Sequence, residues 1–210
     1  MRLRQPIHDL LLAAWRVEAE QIAPRLPDGF GFEPIAHDGY ALVAVACFRN
    51  RLARLGLLPV PPYGEVDVRT FVVDREGAPA VFVFEFFVPA VGLAAAPFGV
   101  PVRVARIRVS RGQVSAPKIG VSAEYAVGDP AELGDLGRAL SSPTSAYWLK
   151  NGRLRRMPGG YEGASWRRAE LHAGARFGPA ARLGLEPERP DFALYAERAE
   201  LRATLPARPV

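Results

Sequence analysis

The chain has 210 residues, of which 49% are hydrophobic and 23% charged, the balance of a globular protein with one sizeable core. No apolar run approaches the roughly 18 residues that cross a bilayer as a helix, so no membrane span is expected. The net charge of +5 comes from scattered arginines, with only two lysines, Lys118 and Lys150, among the 27 basic residues, which argues against a nucleic-acid partner.

The chain reads as one domain over residues 1–210. Its N-terminus has basic Arg2 and Arg4, but the apolar run Leu10 to Trp15 is short and Glu18 and Glu20 follow it, so no secretory leader is expected. A lone cysteine, Cys47, excludes an internal disulfide and fits a reducing compartment, and the reading is cytoplasmic.

Residues 18–26, EAEQIAPRL, predict a short helix ending at Pro27. Asp28-Gly29 then turns the chain into the alternating stretch Phe30, Phe32, Pro34. Asp38-Gly39 separates that stretch from YALVAVACF (40–48), predicting a hairpin. EVDVRTFVV (65–73) alternates strictly and is joined by DREGAP to AVFVFEFFV (80–88), a second hairpin. VRVARIRVSR (102–111) alternates again, and a further strand ends near Tyr125. Asp129-Pro130 predicts a helix over AELGDLGRAL, with Asp129 as cap and Pro130 at its first position. YWLK, RLRRM, a stretch around Trp166 to Leu171 and ALYAERAELRA (194–203) complete the strands, with Asn151-Gly152 a turn between the first two. Many short strands and few helices predict a mainly β protein, a closed or nearly closed barrel.

Loops of the form GxxxxGK[ST], GxGxxG and GxSxG and an HExxH helix are absent, which removes the usual signatures of nucleotide, dinucleotide, serine-hydrolase and zinc-protease chemistry. His8, His37 and His172 lie far apart in sequence, so neither a metal nor a cofactor is expected. Cys47 reads as a small hydrophobe. Glu85 is the one charge in VFVFEFFV. A carboxylate there must either hold an arginine or carry a raised pKa inside a cavity. Glu65, Asp67 and Arg69 share one face of their strand by its period of two, which is either a solvated face or the polar lining of a barrel.

The block GEVDVRTFVVDREGAPAVFVFEFFVPAVGLAAAPFGVPVRVARIRV (64–109) resembles the middle of the YqjF-like family of the acetoacetate decarboxylase-like superfamily. The resemblance extends upstream through VEAEQIAPRLPDGFGFEPIAHDGYALVAVACF and survives downstream at Trp166 and the closing stretch PDFALYAERAELRATLPARPV. It implies a cone-shaped antiparallel β-barrel with a central pocket. Acetoacetate decarboxylases carry a G-x-P-K-K signature whose first lysine forms a Schiff base and whose second lowers the pKa of the first. The matching stretch here is Gly99, Val100, Pro101, Val102, Arg103, so valine stands where the nucleophile belongs and Arg103 keeps only the charge. Lys118, in SAPKIG, lies after the following strand and reads as a surface turn lysine.

These readings predict a pocket protein on this scaffold that binds or transforms a small organic acid or carbonyl compound without a Schiff-base lysine. Arg103 is the expected anion contact, with Arg69 and Arg106 as further cationic contacts and Glu85 or Glu65 as acid/base. Whether the chain is an enzyme is left open, as is a homo-oligomer through exposed barrel edges. The alternative is a non-catalytic barrel filled by Phe82, Phe84, Phe86 and Phe87. Nucleic-acid binding through Arg153, Arg155 and Arg156, with Tyr147, Trp148 and Trp166 as stacking rings, ranks last.

Overall fold

The computed structural model describes residues 2–51, 53–55, 58–93, 99–134, 140 and 143–210. Strand β1 (Arg2–Glu18) is followed by a single turn of helix, α1 (Ala19–Ile22), and a 3-10 turn, Ala23–Arg25. Then come β2 (Glu33–Pro34), β3 (Ala36–His37), β4 (Tyr40–Asn50), β5 (Ala53–Leu55), β6 (Leu58–Val60), β7 (Tyr63–Val73) and β8 (Pro79–Val88). The chain continues through β9 (Val102–Val104), β10 (Arg108–Ser110), β11 (Gln113–Ala116), β12 (Val121–Pro130), β13 (Ser145–Lys150) and β14 (Arg153–Glu162). It ends with β15 (Trp166–Leu171), β16 (Arg176–Phe177), β17 (Phe192–Thr204) and β18 (Arg208–Pro209).

Seven strands pair in a ring: β1 with β4, β4 with β7, β7 with β8, β8 with β13, β13 with β14, β14 with β17, and β17 back to β1. The β8–β13 step is parallel and the other six are antiparallel. Closure of this kind removes free edges from the ring and encloses an interior. Strands β10 to β12, with β16, lie over one side, so β1 and β4 are covered on both faces.

That double burial explains β1. Leu10, Leu12 and Ala14 join the interior cluster, while Leu11, Ala13, Trp15 and Val17 join the outer one. A strand apolar on both faces shows no alternation, which is why its sequence reads as an apolar run. Each fully buried leucine contributes about 1.5–3 kcal/mol relative to exposure. β4 divides the same way, with Leu42, Ala44, Ala46 and Phe48 inward and Val43, Val45 and Cys47 outward. Burial raises the Cys47 thiol pKa far above its ordinary range, so it stays neutral.

The turns follow their residue chemistry. Asp38 and Gly39 both take positive φ, 52° and 84°, between β3 and β4, and Asn151 and Gly152 do so between β13 and β14, the geometry of tight hairpins. The first hairpin is short, because β2 leaves it to pair with β7. The predicted alternating strand over 102–111 is broken into β9 and β10. Two helix expectations are corrected. The 18–26 helix begins only after β1 ends and shrinks to four α-helical residues, because β1 stays paired with β4 through Glu18. Asp129 and Pro130 do not cap a helix but finish β12, where Pro130 pairs with Arg167; residues 135–139 of that predicted helix lie outside the described residues. No described helix is long and apolar enough to cross a membrane.

Candidate functional site

All seven ring strands contribute to one cavity of about 80 Å³, several times the roughly 10–15 Å³ that a single water occupies by the same measure. Most of its wall is apolar: Val81, Val83, Phe86 and Val88 from β8, Phe48 from β4, Met157 from β14, and Leu201 and Leu205 from the chain end. Val100 and Val102 close one side. The polar wall is essentially one strand face, with Tyr63, Glu65, Asp67 and Arg69 all from β7 at a spacing of two, joined by Gln5, Ser145 and Tyr161. The face the sequence left open between solvent and barrel lining is therefore the lining.

Within it, Arg69 and Asp67 form a two-pronged ion pair. Arg69 Nε donates to Asp67 Oδ1 at 2.5 Å and its Nη2 to Asp67 Oδ2, and their side chains are only 7% and 1% exposed. Arg69 Nη2 also donates to the Tyr161 hydroxyl at 3.0 Å. Although burial disfavours the cation, Asp67 holds the Arg69 guanidinium pKa above its ordinary value. Tyr161 is pushed up to about 12 by burial, against the pull of Arg69, and so keeps its proton at neutral pH.

Glu65 behaves differently from Asp67. Burial, reinforced by the nearby Asp67 carboxylate, pushes its pKa from an ordinary 4.5 up to about 7. The Asn50 amide limits the rise by donating to Glu65 Oε2 at 3.0 Å. Asn50 is fully buried, and its Oδ1 accepts from Gln5 Nε2, so the two amides form a chain that fixes which way Asn50 faces. A carboxyl group that exchanges its proton near neutrality, in a mostly apolar cavity, is equipped for acid–base chemistry.

The other expected site residues lie elsewhere. By strict alternation Glu85 would follow Val81 and Val83 into the cavity. The β7–β8 register slips, however: Val68 faces Glu85 while Arg69 faces Val83, leaving Phe84 as the extra residue of a bulge. Phe86 and Val88 line the cavity after the bulge, and Glu85 is turned outward. There it accepts from Arg103 Nη1 at 2.6 Å and from Arg182 Nη1, so Glu85 and Arg103, expected at the cavity, meet each other outside its lining. Arg106 is exposed and likewise outside the lining. Lys118 is exposed in the 3-10 turn Pro117–Ile119, and neither lysine of the chain lines the cavity.

The four phenylalanines that the alternative reading placed in the barrel do not gather there. Phe86 lines it, Phe82 packs with Phe32 and Tyr147, and Phe87 sits beneath the Arg182 guanidinium. Trp148 is fully buried and Tyr147 nearly so, while Arg156 is bound to Glu76 and Ser145, so these groups do not form an open stacking surface.

Tyr63, Tyr161, Ser145, Asn50 and Gln5 are the polar site residues that sequence reasoning missed. Tyr161 follows Gly159-Gly160, where side chains would collide with neighbouring backbone: a Cβ at Gly159 would overlap the Arg202 carbonyl oxygen, and one at Gly160 the Pro143 carbonyl oxygen. The paired glycines let β14 close the barrel and were the available signal.

A family model described as DUF2071, Uncharacterized conserved protein (COG2071), matches residues 4–200. No curated protein matches the sequence. Among solved structures, the chain is similar to acetoacetate decarboxylase from Legionella pneumophila, with a TM-score of 0.62 and 14% identity over 99% of this chain and 86% of that one. It is similar to an acetoacetate decarboxylase-like enzyme from Sphingomonas wittichii RW1, with a TM-score of 0.59 and 14% identity over 99% of this chain and 92% of that one. It is also similar to the enduracididine biosynthesis enzyme MppR complexed with the condensation product of pyruvate and imidazole 4-carboxaldehyde, with a TM-score of 0.56 and 15% identity over 100% of this chain and 89% of that one. At these identities the likeness is one of fold.

Proposed function

The chain belongs to the DUF2071 family and carries the acetoacetate decarboxylase-like fold, and from that premise we propose that its barrel binds a small organic acid or carbonyl compound and exchanges a proton with it through Glu65. The observation that carries this reading is a buried carboxyl, Glu65, poised at about 7 beside the Arg69–Asp67 pair on the polar wall of a mostly apolar cavity. With Oε2 held by Asn50, Glu65 Oε1 is the oxygen free to meet a ligand. The Tyr161 oxygen already accepts from Arg69, so its own O–H is free to donate to a carbonyl oxygen.

The corresponding reaction is enolisation. The Glu65 carboxylate takes a proton from the carbon beside the carbonyl, the C–H electron pair becomes a C=C bond, and the carbonyl π pair moves onto oxygen, where the Tyr161 hydroxyl steadies it. Reversal returns a proton from Glu65 to carbon. No amine takes part: Val102 lines the cavity where the family resemblance would place the Schiff-base lysine, and a valine forms no imine.

A thermal-shift screen of short ketones, aldehydes, keto acids and carboxylic acids tests the reading. A ligand at about a hundred times its Kd raises stability by about 2.7 kcal/mol. The expected result is at least one hit that weakens in Tyr161→Phe, which keeps the ring and removes the donor. No hit across the panel would overturn it in favour of a non-binding barrel.

A further inference from the structure

The charges on the cavity wall narrow the ligand class, an inference that rests on the Glu65 reading above. Arg69 is the sole cation among the described residues lining the cavity, facing the acids Glu65 and Asp67 and the phenols Tyr63 and Tyr161. Its Nε and Nη2 are both committed to Asp67, so the pair presents little net charge to a ligand. A carboxylate entering this space would lose its hydration beside two acidic side chains and find the one cation of the described lining, Arg69, already paired with Asp67. A carbonyl oxygen needs only a hydrogen-bond donor, which Tyr161 offers, and its aliphatic body packs on Val81, Val83 and Val102. We infer that the cavity selects neutral, short-chain carbonyl compounds, ketones or aldehydes of a few heavy atoms, and turns away their carboxylate counterparts.

Three isosteres test this on the full-length protein: 3-methyl-2-butanone, isobutyramide and isobutyrate share one branched shape and differ at the group beside the carbonyl. Binding is measured by ligand-observed NMR at a pH near 8, where isobutyrate is ionised. The expected result is that the ketone and the amide bind at least tenfold more tightly than the carboxylate. Isobutyrate binding as tightly as the ketone would overturn the inference and leave the pocket reading intact. Silence of all three, together with a blank thermal-shift panel, would overturn both. Asp67→Asn provides a second arm, because it releases the guanidinium: isobutyrate affinity should then rise at least tenfold, and an unchanged affinity in the folded variant would count against the inference. If that variant does not fold, the wild-type comparison decides alone.

Discussion

Arg69 and Asp67 stand two residues apart on β7, point into the same cavity and join through two parallel contacts, the Nε–Oδ1 distance being 2.5 Å. Neither has appreciable access to water, so each depends on the other for its charge to be tolerated. Removing one partner of a buried pair leaves an uncompensated charge and costs about 3–5 kcal/mol, whereas replacing both with uncharged groups of similar shape is often close to neutral. Asp67→Asn and Arg69→Met should each destabilise by about that amount, and the double variant by clearly less than the sum. Urea denaturation of the four proteins closes the cycle, and additive losses would show that the two charges are solvated separately.

Glu65 gives stability a distinctive pH dependence. Its folded pKa of about 7 lies above the ordinary 4.5, so the folded chain binds this proton more tightly than the unfolded chain does. The contribution is full below about pH 4.5 and is lost as pH rises through about 7, a swing of about 3 kcal/mol at about 1.4 kcal/mol per pH unit. Glu65→Gln lacks this proton. The difference in unfolding free energy between wild type and variant, followed from pH 5 to pH 8, should therefore move against wild type by roughly that swing, and a flat difference would show that Glu65 is solvated.

Asn50 tunes that proton. Its amide stabilises the charged form of Glu65, so Asn50→Leu should raise the Glu65 pKa above about 7, with Gln5→Leu acting in the same direction through the loosened Asn50. Carbon-13 NMR titration of the glutamate side-chain carboxyls, with Glu65→Gln as the assignment control, reads the midpoint directly. An unchanged midpoint in Asn50→Leu would remove the amide chain from the site.

Much of this arrangement was legible in the sequence, and the failures have physical causes. Asp38-Gly39, Asn151-Gly152 and the alternation of residues 65–73 marked the hairpins because turn chemistry and period two are local properties. The same alternation put Glu65, Asp67 and Arg69 on one face, but which side that face meets depends on ring closure by strands as distant as β17. β1 escaped because burial on both faces erases alternation, and its register shifts between His8 and Leu11, where Asp9 takes a positive φ. Glu85 takes the arginine-holding one of the two outcomes its sequence left open, because one bulge residue, Phe84, which no local pattern announces, turns it away from the cavity. Asn50 and Gln5 stand beside arginines in their strands, with no local pattern to set them apart, and only their meeting inside the barrel gives them a role.

Val102 offers a gain-of-function check on the family comparison. A lysine there would place an amine in a desolvated cavity, where burial lowers its pKa and makes the neutral form available near neutral pH. Val102→Lys should form an imine with a short ketone that borohydride reduces to a stable adduct, adding the mass of the trapped fragment, while wild type gains none. Absence of an adduct in the folded variant would show that residue 102 does not face the bound ligand.

The most direct test of the central claim is proton exchange at carbon. With 3-methyl-2-butanone in deuterated buffer near neutral pH, proton NMR follows the loss of the signals beside the carbonyl. Wild type should accelerate deuterium incorporation above the buffer rate, and Glu65→Gln should return it to that rate. Exchange no faster than buffer with wild type, or equally fast with Glu65→Gln, would contradict the assignment of Glu65 as the acid–base group of this cavity.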